Sequence, residues 1–337
     1  MQYVFCRIGL ALWALVCLGG SRGVALAEES AGRLRIVEEP TKISVLRGDR
    51  PVLEYQMTPA PYKPYVRRLF SPGGTNILRD APHDHLHHHG LMFALEADGT
   101  DFWGEKSGAR PGTQHHIKVE KARVSARDDH KAAGFSQRLD WVAPGKKDSP
   151  AKERTILQEH RRIEVLPAET PSEPTMLTWR TTLKTASNEK PVVLTGPHYL
   201  GLGMRFVSSM DKNGRMIVPE NGEGRTVRGD ERITAAAWVA YTASADGKLV
   251  TVALFDHPSN PRHPAGLFTM TRPFAYLSAT LGLDTKPLSL APGRSLKMCY
   301  GVALWDGRVD HDAIQRQYRV WVERAGKPKV APSAGPR

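Results

Sequence analysis

Alternation between apolar and polar residues is the feature that most restricts how this chain can fold. Four long segments in the middle of the chain, at 116–124, 135–142, 156–165 and 176–183, alternate in this way. A repeat of two residues is typical of β-strands with one buried face and one solvated face. Turn-forming residues separate these segments, and helical periodicity is almost absent. The pattern predicts an all-β fold, a large antiparallel β-sandwich.

One helix is predicted, at the C-terminal end from Asp310 to about Arg324. Asp310 can cap its first turn. Ile314, Tyr318 and Trp321 follow at helical spacing and form one apolar stripe, which we expect to pack on the sandwich. Neither an internal repeat nor a linker divides the chain, so residues 28–325 are predicted to form a single domain.

The N-terminal segment at 1–27 has the organisation of a signal peptide. Arg7 precedes an apolar run at 8–18, which is too short to span a bilayer. The small residues at 24–27 predict cleavage after Ala27. No later stretch is apolar enough to cross a membrane, so we expect a periplasmic or secreted protein without membrane contact after cleavage.

Charge and cysteine content exclude other classes of protein. The formal net charge is +12, but basic residues are interleaved with acidic ones along most of the chain, which does not favour nucleic-acid binding. Residues 326–337 form a basic tail, rich in Pro, Ala and Gly, that is predicted to be disordered. Cleavage of the signal leaves Cys299 as the only cysteine, in an apolar run typical of a buried structural thiol.

Five of the thirteen histidines fall between positions 83 and 89. Histidine changes charge near neutral pH and is a common metal ligand, so this density indicates a functional site. If the segment is an extended strand, its side chains divide between two faces. These faces carry His83, His85, His87 and His89 on one side, and Asp84, Leu86 and His88 on the other.

Three interpretations of these histidines remain open. A His-x-His pair could bind a transition metal, with a third ligand from His115, His198 or His263. Alternatively, the histidines could form a metal-free polar site for acid–base chemistry, in which Asp84 orients one imidazole. The third interpretation is a solvated loop without function. The cofactor therefore stays undetermined, with a histidine-bound transition metal as the alternative to a metal-free site.

Other polar and aromatic residues are candidates for ligand binding. Trp103 follows soon after the histidines and could stack on a sugar ring or be a core tryptophan. His198, Tyr199 and Arg205 lie around two glycines, Gly201 and Gly203, which permit close approach of a backbone or a ligand. Arg205 could bind a carboxylate or an anionic sugar, or form a surface salt bridge.

A proline-rich turn at 256–264 presents three further candidates. Its prolines stiffen the chain and orient Asn260, Arg262 and His263. Rigid loops with polar side chains on a β scaffold are often functional. The alternative is a stiff turn in which Asn260 bonds to its own backbone.

Seven short motifs follow one another in a specific order along the chain. They are 62–65 (Tyr-Lys-Pro-Tyr), 71–74 (Ser-Pro-Gly-Gly), 79–80 (Arg-Asp), 84–91 (Asp-His-Leu-His-His-His-Gly-Leu), 101–103 (Asp-Phe-Trp), 237–241 (Ala-Trp-Val-Ala-Tyr) and 256–264 (Asp-His-Pro-Ser-Asn-Pro-Arg-His-Pro). This ordered set resembles an exported bacterial family of unknown function that is often labelled "methane oxygenase PmoA", and the resemblance covers about 45–325. The family pattern reads Asp-His-Pro-His-His-Arg-Gly, so Leu86 replaces a proline and His89 replaces an arginine.

The resemblance implies a β-sandwich in bacteria that degrade complex polysaccharides, and hence a small sugar or glycan as the ligand. It does not imply methane oxidation, because particulate methane monooxygenase subunits cross the membrane several times. We expect a carbohydrate-active hydrolase, lyase or epimerase. The alternative is a non-catalytic module that binds glycans or a transition metal.

The predicted roles are divided between catalysis and binding. His85, His87 and His88 would supply acid–base groups, and Asp84 would orient one of them. His198, Arg205 and His263 would complete the pocket. The residues predicted to contact the substrate are Trp103, His198, Tyr199, Arg205, Asn260, Arg262 and His263.

Overall fold

The computed structural model describes residues 32–58, 62–105, 111–127, 130–145, 152–219 and 224–326. The predicted signal peptide at 1–27 lies outside these ranges, as does the predicted tail at 326–337 apart from its first residue. Within the described residues the chain is an antiparallel β-sandwich with a C-terminal helix, which confirms the predicted fold class.

The strands are joined by turns and loops of different lengths, the longest of which among the described residues extends over 70–90. In chain order they are β1 (Leu34–Glu38), β2 (Lys42–Arg47), β3 (Arg50–Gln56), β4 (Tyr65–Leu69), β5 (Leu91–Ala94), β6 (Glu96–Ala97), β7 (Thr100–Asp101), β8 (Thr113–Val119), β9 (Arg123–Arg127), β10 (His130–Ala143), β11 (Arg154–Leu166), β12 (Thr175–Thr185), β13 (Val192–Thr195), β14 (Gly201–Arg205), β15 (Arg215–Ile217), β16 (Arg225–Thr226), β17 (Arg232–Ala235), β18 (Trp238–Ala245), β19 (Lys248–Asp256), β20 (Gly266–Met270), β21 (Tyr276–Thr280), β22 (Leu288–Leu290) and β23 (Ser295–Asp306). A short 3-10 helix, Ser208–Met210, follows β14.

Two large sheets and one small sheet make up the sandwich. The ten-stranded sheet has the order β1-β2-β3-β4-β5-β14-β21-β20-β17-β16. The nine-stranded sheet has the order β15-β18-β19-β23-β12-β11-β10-β8, with β9 paired to β10. The four-stranded sheet has the order β22-β13-β6-β7. The four alternating segments of the sequence are β8, β10, β11 and β12, which are neighbours in the nine-stranded sheet.

The C-terminal helix α1, His311–Gly326, begins and packs as predicted. Asp310 Oδ1 accepts a hydrogen bond from the Ala313 N–H at 2.8 Å, which caps the first turn. Ile314, Tyr318 and Trp321 are buried against a second apolar cluster formed by residues of the nine-stranded sheet. Among the described residues, no helix combines the length and apolarity needed to cross a bilayer.

Cys299 is a buried structural thiol, as its apolar neighbours predict. It lies in β23, is free, and belongs to the cluster beneath the helix. Burial raises the pKa of the thiol to about 11, so the nucleophilic thiolate is scarce at neutral pH.

Candidate active site at the histidine loop

Residues 82–88, here called the histidine loop, form two successive turns, so the prediction of a strand is wrong. The His85 N–H donates to the Pro82 carbonyl and the His88 N–H donates to the His85 carbonyl, both at 2.9 Å. Asp80 and His89 pair as an isolated antiparallel bridge at the base of the loop. Pro82 cannot donate to a ladder, and local turn bonds replace cross-strand pairing. Strand β5 therefore begins only at Leu91.

The two turns bring three histidines together, where a strand would have separated them. Ring centroids lie 4.7 Å apart for His85 and His88, 4.5 Å for His87 and His88, and 5.7 Å for His85 and His87. The predicted division of His87 and His88 between opposite faces is therefore wrong. His83 is exposed and remains outside this cluster.

The three histidines form one wall of a cavity of about 260 Å³. The opposite walls come from strands β20 and β21, the turn between them, the segment after β7 and the residues before β14. The lining residues are His85, His87, His88, Trp103, Tyr199, Arg228, Glu231, Phe268, Met270, Phe274 and Tyr276. Sequence reasoning identified the first five of these, but missed the β20–β21 residues because their apolar and aromatic character is equally typical of a core.

Both glycines of β14 allow close approach, as the sequence predicts. A Cβ at Gly203 would lie 1.9 Å from Tyr276 Oη and 3.1 Å from Trp103 Cη2. A Cβ at Gly201 would lie 2.0 Å from the Ala279 carbonyl oxygen. Gly201 thus admits the neighbouring backbone, and Gly203 admits two side chains of the cavity wall.

Unsatisfied polar atoms concentrate around this cavity. Eight buried side-chain nitrogen or oxygen atoms have no hydrogen-bond partner among the described residues, and six of them belong to the cavity wall or to the residue behind it. The six are His85 Nδ1, His88 Nδ1, Trp103 Nε1, Arg205 Nε, Arg205 Nη1 and Tyr276 Oη. Buried polar atoms are almost always paired, so such a concentration indicates a functional site.

Burial keeps two of the histidines neutral. Burial, followed by the charge of Lys63, lowers the pKa of His87 to about 4. Burial, followed by the neighbouring His87 and His85, lowers the pKa of His88 to about 2. At neutral pH these imidazoles can accept a proton or exchange hydrogen bonds, but neither is a proton reservoir. Of the two, His87 is the stronger base.

Arg205 is buried behind the wall formed by His88 and Phe274. Its side chain is 1% exposed, and its guanidinium lies 3.6 Å from the centre of the Phe274 ring. Arg205 Nη2 is 3.8 Å from Asp84 Oδ2, which is beyond hydrogen-bond distance. The sequence left open a surface salt bridge for Arg205; the structure places Arg205 in the interior, with the partly exposed Asp84 carboxylate as an ion-pair partner at 3.8 Å.

Asp84 lies at the edge of the site and not in its wall. Its Oδ2 is 3.1 Å from His85 Nδ1 but outside hydrogen-bond geometry, and 39% of its side chain is exposed. It is thus close enough to orient His85 after a small rotation of its carboxylate.

A charged group at the rim was not found from the sequence. Glu231 lines the cavity, and Arg228 Nη2 donates to its Oε1 at 2.7 Å. His198 Nε2 lies 3.1 Å from Glu231 Oε2, and its ring contacts Tyr199 edge-on. His198 therefore acts through Glu231 and Tyr199, both of which line the cavity. No local pattern in the sequence connects Glu231 to the histidines.

His89 anchors the base of the histidine loop. Its Nδ1 lies 2.8 Å from Asp80 Oδ1 and its Nε2 lies 3.1 Å from Glu105 Oε1. Tyr65 stacks on its ring with centroids 4.6 Å apart, and buried Lys63 donates to Glu105 at 2.5 Å. Burial disfavours the imidazolium, but hydrogen bonds to the two carboxylates outweigh it and raise the pKa of His89.

Asn260, Arg262 and His263 are not part of this cavity. The Asn260 amide pairs with both backbone groups of Cys299, at 2.6 and 2.7 Å, as a neighbouring strand would. Arg262 donates to four backbone carbonyls of the loop between β21 and β22. His263 Nδ1 lies 2.6 Å from Asp256 Oδ2. The prediction that they contact a ligand in the same pocket as the histidines is wrong, because Asn260 and Arg262 attach the 256–264 turn to β23 and to the β21–β22 loop, and His263 pairs within the turn.

No metal site is evident in the part of the chain that the structure describes. There, no three His, Cys, Asp or Glu side chains are grouped so that they could hold a metal ion. His85 and His88 are stacked face to face, which does not direct their nitrogens to one point. The arrangement of the histidine loop thus gives no support to the metal-binding alternative.

The chain belongs to a family of unknown function, DUF6807, whose match extends over residues 42–319. This range includes the histidine loop and every residue that lines the cavity. No curated protein matches the sequence.

Three solved structures are similar at low sequence identity. A GH36 α-galactosidase from Geobacillus stearothermophilus, crystallised with raffinose, is 9% identical with a TM-score of 0.43, over 82% of this chain and 41% of its own. A putative kojibiose phosphorylase from the human microbiome is 9% identical with a TM-score of 0.33, over 90% of this chain and 37% of its own. A galactose mutarotase-related enzyme from Lactobacillus acidophilus is 9% identical with a TM-score of 0.25, over 82% of this chain and all of its own.

The chain spans about two fifths of the length of the first two of these structures. At these TM-scores the likenesses carry no argument about activity. The functional argument therefore depends on the cavity itself.

Proposed function

We propose that this protein binds a single sugar ring in the cavity at the histidine loop and acts on it by proton transfer. The observation that carries this proposal is the coincidence of three imidazoles, an aromatic wall and most of the unsatisfied buried polar atoms at one cavity. Its volume of about 260 Å³ falls just below the range of ~300–1,000 Å³ that drug-sized ligands occupy. A ligand the size of one sugar ring is therefore preferred over a larger one.

The composition of the wall supports a sugar over a purely apolar ligand. Trp103, Tyr199 and Phe274 offer ring faces or edges to the apolar C–H face of a pyranose. His85 and His87 offer nitrogen atoms to its hydroxyl groups on the other side. A ligand with one apolar face and polar edges matches both walls.

Proton transfer is favoured over glycoside hydrolysis by two carboxylates. Among the described residues that line the cavity, Glu231 is the single carboxylate, and both of its oxygens already contact Arg228 or His198. Most glycosidases need two carboxylates across the scissile bond. His87, neutral at working pH, can accept a proton from a carbon next to a carbonyl or from a hemiacetal hydroxyl. Epimerase or lyase chemistry is thus the better match.

Solvent exchange in deuterated water tests this proposal. We expect the wild-type protein to catalyse exchange of a sugar C–H hydrogen, or anomer interconversion, when monosaccharides are followed by proton NMR. His87→Gln keeps the size and polarity of the side chain but removes its basicity, so it is expected to lose turnover while saturation-transfer NMR still detects binding. Undiminished turnover in His87→Gln would exclude this residue as the base.

A non-catalytic sugar-binding protein is the second candidate, because the low pKa of His87, about 4, and of His88, about 2, makes both imidazoles weak bases. It predicts binding without exchange in the same measurement. Trp103→Ala distinguishes both candidates from an unrelated function, since either requires this variant to lose sugar affinity. Retained affinity in a folded Trp103→Ala protein would contradict the position of the site.

We also propose that the protein is exported and that it is similar to the PmoA-like proteins. The predicted cleavage after Ala27 requires a mature protein that begins at Glu28. Mass spectrometry of the protein recovered outside the cytoplasm checks this directly. An intact N-terminus on that protein would exclude the predicted cleavage site.

A further inference from the structure

Arg205 is a buried cation whose hydrogen-bonding capacity is unused. None of its side-chain nitrogens donates a hydrogen bond to a described residue, and Nε and Nη1 are fully enclosed. Asp84 is the carboxylate within 4 Å, and its oxygen is 3.8 Å away. Asp211 acts only from a longer distance, and its Oδ1 already accepts the Ala275 N–H at 2.7 Å.

A buried guanidinium that donates no hydrogen bond to a described residue costs folding free energy, because the Asp84 carboxylate at 3.8 Å is too distant to bond with it. The penalty for burying an ion without a close partner is several kcal/mol. The backbone gives no reason for an arginine here, because β14 needs only the N–H and carbonyl of this residue, bonded to Gly90 and Arg79. A costly group at a cavity is expected where a ligand completes its interactions.

We propose that Arg205 binds the anionic substituent of an acidic sugar, such as the carboxylate of a uronic acid. This inference rests on the proposed sugar-binding function and specifies the class of sugar. A ligand carboxylate at Nη2, the side-chain nitrogen of Arg205 that is not fully enclosed, forms a charge-assisted hydrogen bond with the guanidinium. A sulfate ester presents the same oxyanion chemistry and is the other possible source.

Asp84 lies where a ligand would approach Arg205. Its Oδ2 lies 3.8 Å from Arg205 Nη2 and 3.1 Å from His85 Nδ1, so it occupies the region where a ligand oxyanion would contact both. Because 39% of the Asp84 side chain is exposed, its carboxylate can turn into solvent without a desolvation penalty. The ligand oxyanion then takes the place of the Asp84 carboxylate and, unlike Asp84, hydrogen-bonds to Arg205.

Thermal unfolding and titration of the wild-type protein, Arg205→Met and Arg228→Met test the inference. The probes are sodium glucuronate, glucose 6-sulfate, glucose and sodium acetate at equal ionic strength. Arg205→Met preserves the volume and the stacking on Phe274, and Arg228→Met is the control for a cation at the rim. We expect glucuronate or glucose 6-sulfate to bind the wild-type protein about 10- to 100-fold more tightly than glucose, and Arg205→Met to lose this preference.

The melting temperature separates a ligand-binding role of Arg205 from a structural one. Without ligand, Arg205→Met is expected to melt at the same or a higher temperature, because it removes an unpaired buried charge. A marked loss of stability in Arg205→Met would overturn the inference.

The remaining outcomes separate this inference from the proposed function. Equal affinity for glucuronate, glucose 6-sulfate and glucose overturns the anionic class but leaves sugar binding intact. Stabilisation of the wild-type protein but not of Arg205→Met by acetate, without any effect of glucose, supports the anion site and contradicts a neutral sugar ligand. Absence of any effect from all four probes overturns both.

Discussion

Arg161 and Arg205 are both almost inaccessible to solvent, yet their surroundings differ completely. All five N–H groups of Arg161 are paired, with Glu159, Tyr55, Gln114 and the Pro64 carbonyl at 2.8–3.1 Å. Its guanidinium also lies over the Trp179 ring. By contrast, Arg205 has a stacking partner, Phe274, and a carboxylate 3.8 Å away in Asp84, but no hydrogen bond to any residue that the structure describes.

This contrast separates a buried ion pair with all its hydrogen bonds from a buried cluster that lacks them, within one fold. The Glu159–Arg161 pair of β11 joins the two large sheets, because its partners come from β3, β8, β10 and β12 and from the segment before β4. Its polar groups are fully satisfied, so no ligand is needed. The cluster of Arg205 and the histidine loop, by contrast, contains most of the unsatisfied buried polar atoms of the described residues, and it lies beside the cavity.

The largest expected effect is the loss of Arg161. Arg161→Met leaves the Glu159 carboxylate buried without its cation and is expected to lower the free energy of unfolding by about 3–5 kcal/mol. Urea unfolding measures this difference. The double variant Arg161→Met with Glu159→Gln should recover part of the loss, since no bare charge then remains. A cost for Arg161→Met no greater than that for Arg205→Met would remove the contrast between the two arginines.

His89 resembles Arg161 and not Arg205, because both of its ring nitrogens have carboxylate partners. His89→Leu leaves Asp80 and Glu105 without their shared partner and is expected to cost about 3 kcal/mol of unfolding free energy. His89→Arg, which restores a cation at this position, should retain most of the stability. Chemical denaturation of both variants checks this difference. Equal destabilisation by Leu and Arg would show that shape, and not charge, is what this position requires.

The same residue predicts how stability depends on pH. Because the pKa of His89 is raised in the folded state, its stabilising contribution is complete below its ordinary value of 6.5 and is lost as the pH rises through the raised value. The wild-type protein should therefore lose stability relative to His89→Arg as the pH rises above about 6.5. Parallel pH profiles for the two proteins would contradict a charged His89.

The smallest expected effect concerns the rigidity of the histidine loop. Leu86 is 62% exposed and occupies the second position of the His85–His88 turn, where proline is favoured. Leu86→Pro is expected to raise the free energy of unfolding by about 0.4–1 kcal/mol, since it restricts the unfolded chain. Leu86→Ala lacks this restriction and serves as the control. Destabilisation by proline would mean that the loop needs a backbone conformation that proline cannot adopt.

Much of the fold could be predicted from the sequence because it depends on local periodicity. The alternation in β11 places Glu159 and Arg161 on the same face as Ile163 and Val165, so even this buried ion pair follows the predicted pattern. The helix was equally predictable, because the cap at Asp310 and the stripe ending at Trp321 are local features.

The site was only partly predictable because its contacts join distant parts of the chain. His85, His87 and His88 were identified from their density, but their grouping depends on two turns that a periodic pattern does not reveal. Glu231 lines the same cavity from the β16–β17 edge of the ten-stranded sheet, and no local sequence pattern predicts this position. The turn at 256–264 was predicted to contact a ligand, but its polar side chains bond to other parts of the fold. Rigid polar loops are as common in structural roles as in binding.

The two-turn path of the histidine loop places consecutive histidines in unrelated surroundings. His88 faces the ligand cavity, and His89, the next residue, holds two carboxylates in the interior. An insertion or deletion of one residue between Pro82 and His88 would move a different side chain into the interior position, whereas many single substitutions would not. Among homologues, therefore, the length of this loop should vary less than the identity of the residues within it.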